Sequence, residues 1–127
     1  AGFIGETNLL QAQVQGDVLD FGAAGRGPLA DATWQGALTL AVRPERLHLL
    51  PWASVPTQAS TDCFYLNATV QSVVYMGHDT RYNVQLPGQA VLCQVRTQNA
   101  LGAHQTFQIG DAVGVGIDAR ALRRVAD

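Results

Sequence analysis

Two stretches of the sequence repeat one apolar pattern at a fixed spacing. The segment ALTLAVRPERLHLL (37–50) aligns without gaps to AVGVGIDARALRRV (112–125), 75 positions later. The aligned apolar pairs are Leu38 with Val113, Leu40 with Val115, Val42 with Ile117, Leu47 with Leu122, and Leu50 with Val125. Further upstream, LQAQVQ (10–15) is similar to LNATVQ (66–71). The repeat therefore predicts two copies of one structural unit.

Each unit shows the two-residue period of half-buried strands. Residues 10–14 alternate apolar and polar, and no segment carries a helical period over three turns. Neither half has enough strands to enclose a core alone. The sequence therefore predicts one all-β, barrel-like domain over 1–127, built from units of about 8–50 and 64–125, with little or no helix. The predicted strands are 10–14, 18–21, 37–42, 47–50, 64–76, 81–86, 90–96, 112–117 and 121–125.

Glycine and proline mark the predicted turns. Pro87-Gly88 suits a type II turn, and GHDT (77–80) predicts a second turn between long strands. The segment GAAGRGPLAD (22–31) predicts a loop. Its GAAGRGP part lacks the GxGxxG spacing and precedes no predicted helix, so a phosphate-binding loop is disfavoured.

The composition excludes several classes of function. The sequence contains no lysine, so a Walker A phosphate loop and Schiff-base chemistry are both ruled out within this chain. The net charge is −2 at pH 7, which offers no general attraction for a nucleic-acid backbone. With 47% hydrophobic and 14% charged residues, the chain has ample material for a packed core.

Catalytic and metal-binding patterns are sparse. His48, His78 and His104 are far apart in sequence, and Cys63 and Cys93 lack the CxxC spacing. We therefore predict no catalytic residue and no metal site. The two cysteines are predicted to be thiols in strands, and their role stays open.

One charged cluster follows a predicted buried strand. Arg43 and Glu45 flank Pro44, which ends the strand 37–42. Two interpretations are open at this point. The charges either clamp a partner backbone or a neighbouring loop, or they are simply a solvated strand end.

The motifs FIGETNLL, VRPERL, VQSVVYMGHDTRYNVQL and IGDAVGVGID occur in an order that resembles the C-terminal accessory region of ABC-transporter ATP-binding subunits. This region is the TOBE domain, and the resemblance covers essentially the whole chain. The residues of these motifs are most similar to the polyamine (spermidine/putrescine) importer branch, followed by the ferric-iron type. The resemblance implies an OB-like barrel that follows an ATP-binding domain absent from this chain.

The resemblance also implies roles for particular residues. The junction motif is expected to contact the ATP-binding domain through Phe3, Ile4, Gly5 and Asn8. Candidate subunit or regulatory contacts are Arg43, Pro44, Glu45, Gly77 and Asp79. Arg123 and Arg124 depart from the more apolar family pattern, which leaves the packing of the last strand open.

The implied function is regulation and dimerisation within a bacterial importer, with no catalysis in this domain. The expected partners are the preceding ATP-binding domain, a second copy of the subunit and, indirectly, the membrane permease subunits. No nucleic acid is expected. No cofactor is expected here, whereas ATP and Mg²⁺ belong to the missing domain. The expected location is the cytoplasmic face of the bacterial membrane. The alternative function is a small-molecule or oxyanion-binding TOBE module.

Overall fold

The computed structural model describes residues 6–57, 62–98 and 106–125, and these residues form an all-β fold. The ten strands are β1 (Asn8–Gln15), β2 (Val18–Asp20), β3 (Arg26–Pro28), β4 (Ala37–Val42), β5 (Leu47–Pro51), β6 (Cys63–Met76), β7 (Asp79–Gln85), β8 (Cys93–Gln98), β9 (Ala112–Asp118) and β10 (Arg123–Arg124). Four short 3-10 helices connect them: η1 (Gly22–Ala24), η2 (Pro44–Arg46), η3 (Trp52–Ser54) and η4 (Ala119–Ala121). The predicted all-β class with little helix is confirmed.

The strands form two five-stranded antiparallel sheets that exchange one strand each. The first sheet has the order β10-β4-β1-β2-β3, and the second has the order β5-β9-β6-β7-β8. Strand β5 belongs to the first half of the chain but pairs with β9 in the second sheet. Strand β10 belongs to the second half but pairs with β4 in the first sheet. Because each sheet needs a strand from the other half, the two halves are interlocked.

The strand registers correspond at the spacing of the sequence repeat. Leu47 pairs with Ile117 in the second sheet, and Arg123 pairs with Ala41 in the first. Shifting the β5–β9 pairing by 75 residues gives the β10–β4 pairing in the same register. The two pairings are therefore equivalent at the offset of 75 residues.

The core is one cluster of buried side chains from both sheets, and the repeated segments supply several of them. Leu40, Val42, Val115 and Ile117 are all at most 2% exposed. Tyr82 is also buried, and its hydroxyl accepts a hydrogen bond from the backbone N–H of Phe107 at 3.2 Å. This bond satisfies a polar group that would otherwise destabilise the core.

Three predicted segments differ from the structure. The loop predicted at 22–31 contains η1 and the strand β3, because Gly27 allows the backbone to approach the Phe64 ring. A Cβ atom on Gly27 would lie 2.7 Å from that ring, so this strand has no apolar side chain there to give an alternating pattern. Strand β8 starts at Cys93 rather than 90, and the predicted strand 121–125 is reduced to β10 after η4.

The predicted turns are close to those observed. The backbone N–H of Gln89 donates to the carbonyl of Leu86 at 3.1 Å, and Gly88 has φ +81°, as a type II turn requires. The second turn is confined to Gly77 and His78, so the last two residues of GHDT belong to β7. Gly77 has φ +75°, which suits the first central position of a type II′ turn.

Candidate interaction surface

The Asn8 side chain joins the two sheets through a reciprocal amide bridge. Its Nδ2 donates to the Gln94 carbonyl at 2.8 Å, and its Oδ1 accepts from the Gln94 backbone N–H at 2.7 Å. Asn8 begins β1 in the first sheet, whereas Gln94 lies on the outer strand β8 of the second. The amide therefore replaces the strand partner that β8 lacks on this side, and Asn8 is only 6% exposed.

In a second amide bridge, a side chain next to β8 bonds to the backbone of β1. The Oε1 atom of Gln89 accepts from the Gln11 backbone N–H at 2.9 Å, and its Nε2 donates to the Gln11 carbonyl at 3.0 Å. Gln89 follows the turn before β8, and Gln11 lies in β1. Together the two bridges close the barrel between β1 and β8 without backbone pairing, and they satisfy four backbone groups.

Glu6 forms an ion bridge to two arginines just before β1. Its Oε1 lies 2.9 Å from Arg81 Nη2, and its Oε2 lies 3.6 Å from Arg96 Nη2. Arg81 in β7 pairs directly with Arg96 in β8. Like charges at directly opposite positions destabilise a sheet, so the Glu6 carboxylate offsets a repulsion built into this surface.

Four buried polar atoms around the ion bridge have no hydrogen-bond partner among the described residues: Glu6 Oε2, Arg81 Nε, Gln94 Oε1 and Arg96 Nε. Two are donors and two are acceptors. Water molecules can satisfy both kinds at once, since water donates and accepts. The arrangement therefore suits a hydrated ion bridge.

We expect Glu6→Gln to lower the free energy of unfolding by about 0.5–1.5 kcal/mol at low salt, because it leaves two arginines facing each other. The loss should shrink as ionic strength rises, since the arginine pair is partly exposed and its repulsion is screened. Urea unfolding at low and at high sodium chloride concentration measures the loss of stability and its dependence on salt. Glu45→Gln is the matched control, because Glu45 is exposed and forms no ion pair among the described residues. An equal effect of the two substitutions would contradict the ion bridge.

The tip of the β6–β7 hairpin exposes a run of apolar side chains. Val74 is 45% exposed, Tyr75 is 70% exposed and Met76 is 44% exposed. These residues lie beyond the buried part of β6, where the burial pattern changes from alternating to open. Neighbouring exposed apolar side chains of this kind make the tip a candidate contact surface.

The Arg43-Pro44-Glu45 cluster forms η2, which lies against β8. Pro44 is buried, while Arg43 and Glu45 are exposed. In the second unit the equivalent position holds an internal ion pair, in which Arg120 Nη2 lies 2.9 Å from Asp118 Oδ2. The hydrogen bonds from Arg120 lower the pKa of Asp118 to about 2. Within the described residues Arg43 and Glu45 form no such pair, so their charges face solvent.

The structure brings some of the predicted site residues together and leaves others apart. Asn8 and η2 both lie against β8, and the turn residue Gly77 lies at the hairpin tip with Asp79. Phe3, Ile4 and Gly5 lie outside the described residues. Contacts of any of these residues with another domain stay predictions.

Sequence reasoning missed the residues that fix this surface. Glu6 stands inside the quoted junction motif, but its partners Arg81 and Arg96 are far away in sequence. Gln89 was also missed, because a glutamine after a turn has no distinctive pattern. The only available signal was the placement of arginines at facing positions of two neighbouring strands.

The outer face of the second sheet also carries a small aromatic group, toward the edge formed by β5. His48 Nε2 lies 3.0 Å from the Tyr65 hydroxyl, with the two rings edge to face. Partial burial lowers the pKa of His48. The His48 ring occupies the space above Gly116, where a Cβ atom would collide with it. Glycine at this position of β9 therefore allows the rings to lie close to the sheet.

Other functional features are absent from the described part of the chain. The described ranges contain no group of three or more potential metal ligands. No helix within them is long and apolar enough to span a membrane. Cys63 and Cys93 are both thiols in strands, as predicted.

The described residues form a small β-barrel domain of two five-stranded sheets. The TOBE domain family matches residues 40–125, so the chain belongs to this family. The resemblance found in the sequence motifs is thereby confirmed.

Curated relatives identify the branch of the family. The chain is 36% identical over 123 residues to a spermidine/putrescine import ATP-binding protein PotA of Pseudomonas fluorescens, covering 91% of this chain and 31% of that protein. It is also 36% identical to the PotA of Mesorhizobium japonicum, covering 98% of this chain and 34% of that protein. The chain thus spans about a third of the length of these relatives.

A solved structure confirms the fold. The cytoplasmic molybdate-binding protein ModG, crystallised with molybdate bound, matches with a TM-score of 0.70 and 13% identity, over 94% of this chain and 96% of that one. At this identity the similarity shows the OB-like fold alone.

Proposed function

We propose that this chain is the regulatory domain of the ATP-binding subunit of a polyamine importer. The observation that carries the proposal is the similarity to spermidine/putrescine import ATP-binding proteins over 91–98% of this chain. The domain modulates ATP-driven uptake and performs no chemistry itself. Its partners are the preceding ATP-binding domain, a second copy of the subunit and, indirectly, the permease, at the inner face of the membrane.

The arrangement of side chains supports a role in contacts rather than in catalysis. Of the residues expected to meet other domains, those that the structure describes lie at the start of β1, at and just before η2, and at the β6–β7 tip. The polar side chains of Asn8, Gln89 and Glu6 are used in bridges that fix the barrel. ATP and Mg²⁺ would be held by the ATP-binding domain, and this domain needs no cofactor.

The proposal is tested with a polypeptide that carries an ATP-binding region before residue 1, as in the curated relatives. Reconstituted with its permease, this protein should couple ATP hydrolysis to spermidine uptake. Removing residues 1–127 should reduce coupled uptake while nucleotide binding remains, because the ATP site lies outside the removed part. The 127-residue chain alone should hydrolyse no ATP. Unchanged uptake after the removal would contradict the regulatory role.

The oxyanion-binding alternative has its own test. Calorimetric titration of the 127-residue chain with molybdate should show no saturable binding, with sodium chloride of equal ionic strength as the control. Stoichiometric binding at micromolar concentration would favour the alternative over the regulatory role.

A further inference from the structure

We propose that Val74 and Met76, on the outer face of the β6–β7 hairpin tip, are the docking surface for the ATP-binding region of the same polypeptide. The inference rests on the proposed function and adds the surface through which that function operates. The Glu6 ion bridge fixes the chain entering the domain against this same face.

The strand register places these groups on one side of the sheet. Val74 pairs directly with Arg81, and Arg81 pairs directly with Arg96. Met76 pairs with Asp79, two residues from Arg81. Because directly opposed residues in antiparallel strands share a face, the two apolar side chains and the Glu6-binding arginines lie side by side.

The ion bridge places the carboxylate of Glu6, the first described residue, on this same face of the sheet. Glu6 contacts both arginines through its carboxylate, so the end of this side chain lies beside β7 and β8. Two residues later the Asn8 amide bridge holds the chain to Gln94 of β8. In the curated relatives about two thirds of the protein lies outside the matched region, and this chain corresponds to their C-terminal part. An ATP-binding region at that position is therefore connected to the domain through Glu6, whose carboxylate lies on the face that carries Val74 and Met76.

The size of the surface favours a tethered occupant over a second copy. Val74 and Met76 are each less than half exposed, so they offer far less than the ~800 Å² per partner of a stable bimolecular interface. A short connection raises the effective concentration of two linked surfaces to about the millimolar range. A small apolar contact is then sufficient. The surrounding charges of Arg81, Arg96 and Asp79 supply the polar rim typical of an interface.

Oxidation of Met76 tests the proposal directly. Met76 is the only methionine of the sequence, so sulfoxide formation by dilute hydrogen peroxide is assigned by peptide mass spectrometry without ambiguity. The oxidation rate is compared between the 127-residue chain and the polypeptide carrying the ATP-binding region. Docking should slow oxidation at least about threefold in the longer polypeptide, since reaction follows exposure. Equal rates would overturn the proposal.

Two matched variants of the longer polypeptide control for general effects. Val74→Glu places a charge in the docking surface and should restore the fast rate. Val91→Glu should not, because Val91 is 71% exposed and precedes β8 at the end away from the tip. If Val74→Glu also leaves the rate slow, the docking surface is not at Val74.

A dilution series distinguishes the tethered region from a second copy. If the tethered region protects Met76, the slow oxidation rate does not depend on protein concentration. If the 127-residue chain itself becomes slow to oxidise as its concentration rises, a second copy covers the tip and the proposal is wrong. ATP hydrolysis and uptake by the longer polypeptide are measured separately. If Met76 is protected but the protein shows no ATP-dependent uptake, the proposed function is refuted. The docking surface would still stand.

Discussion

Replacing Asn8 with alanine should lower the free energy of unfolding by about 2–4 kcal/mol, because it leaves a buried backbone N–H and carbonyl of Gln94 without partners. The expected loss is large for a polar residue since a single side chain satisfies two backbone groups. Removing it also leaves a space at a position that is 6% exposed. Urea unfolding, followed by circular dichroism, measures the loss.

A conservative variant separates the two hydrogen bonds. Asn8→Asp keeps an acceptor for the Gln94 N–H but directs a carboxylate oxygen at the Gln94 carbonyl. It should therefore destabilise the domain at pH 7 and recover part of the stability when the introduced carboxyl is protonated. Gln98→Ala is the matched control, because Gln98 lies exposed in the same strand, β8. A loss below about 0.5 kcal/mol for Asn8→Ala, typical of surface substitutions, would show that the bridge does not close the barrel.

The Asn8 result also bears on the junction with the preceding domain. Asn8 was expected from the family motif to contact the ATP-binding domain. In the structure its amide forms both hydrogen bonds inside the barrel. Its effect on stability is therefore intramolecular, and its contact with an ATP-binding domain stays a prediction.

The sequence predicted those parts of the fold that depend on local pattern. Strands such as 37–42 were found within a residue of their ends because apolar residues alternate there and the following proline ends the strand. The offset of 75 residues also aligned the sequence of β5 with that of β10, although it did not reveal that these strands exchange between halves.

The missed features depend on contacts between distant residues. Strand β3 contains Gly27, which lacks a side chain and so lets the Phe64 ring lie close to the backbone. No local pattern indicates that contact. The bridge from Gln89 to Gln11 joins residues 78 positions apart, so a single sequence gives no sign of it. The apolar run 73–76 was recognised as strand, but its exposure depends on how far β6 extends past the barrel.

Cys93 should be far slower to alkylate in the folded chain than in the unfolded chain. It is 1% exposed, and burial raises the pKa of its thiol to about 12. Because only the thiolate reacts, a rise of about three pKa units lowers the reactive fraction at pH 8 by roughly 10³, and exclusion of the reagent lowers the rate further. Iodoacetamide labelling in buffer and in urea, resolved by peptide mass spectrometry, measures the ratio.

The raised pKa also determines how stability depends on pH. Below pH 9, the usual value for this thiol, both states are protonated and Cys93 makes no difference. Between pH 9 and about 12 the unfolded thiol ionises while the folded one stays neutral, so the free energy of unfolding falls as pH rises. Cys93→Ala should reduce this slope, and an unchanged slope would show that the thiol is not shielded.

Cys93 labelling finally connects the two predictions, because Cys93 immediately precedes the residue held by Asn8. If the amide bridge fixes β8, Asn8→Ala should accelerate Cys93 labelling through local opening of that strand. Gln98→Ala should leave the rate close to that of the unmodified chain. In both variants Cys63→Ser removes the second thiol from the measurement. Equal acceleration by the two substitutions would mean that labelling reports destabilisation of the whole domain. The bridge would then not stabilise β8 specifically.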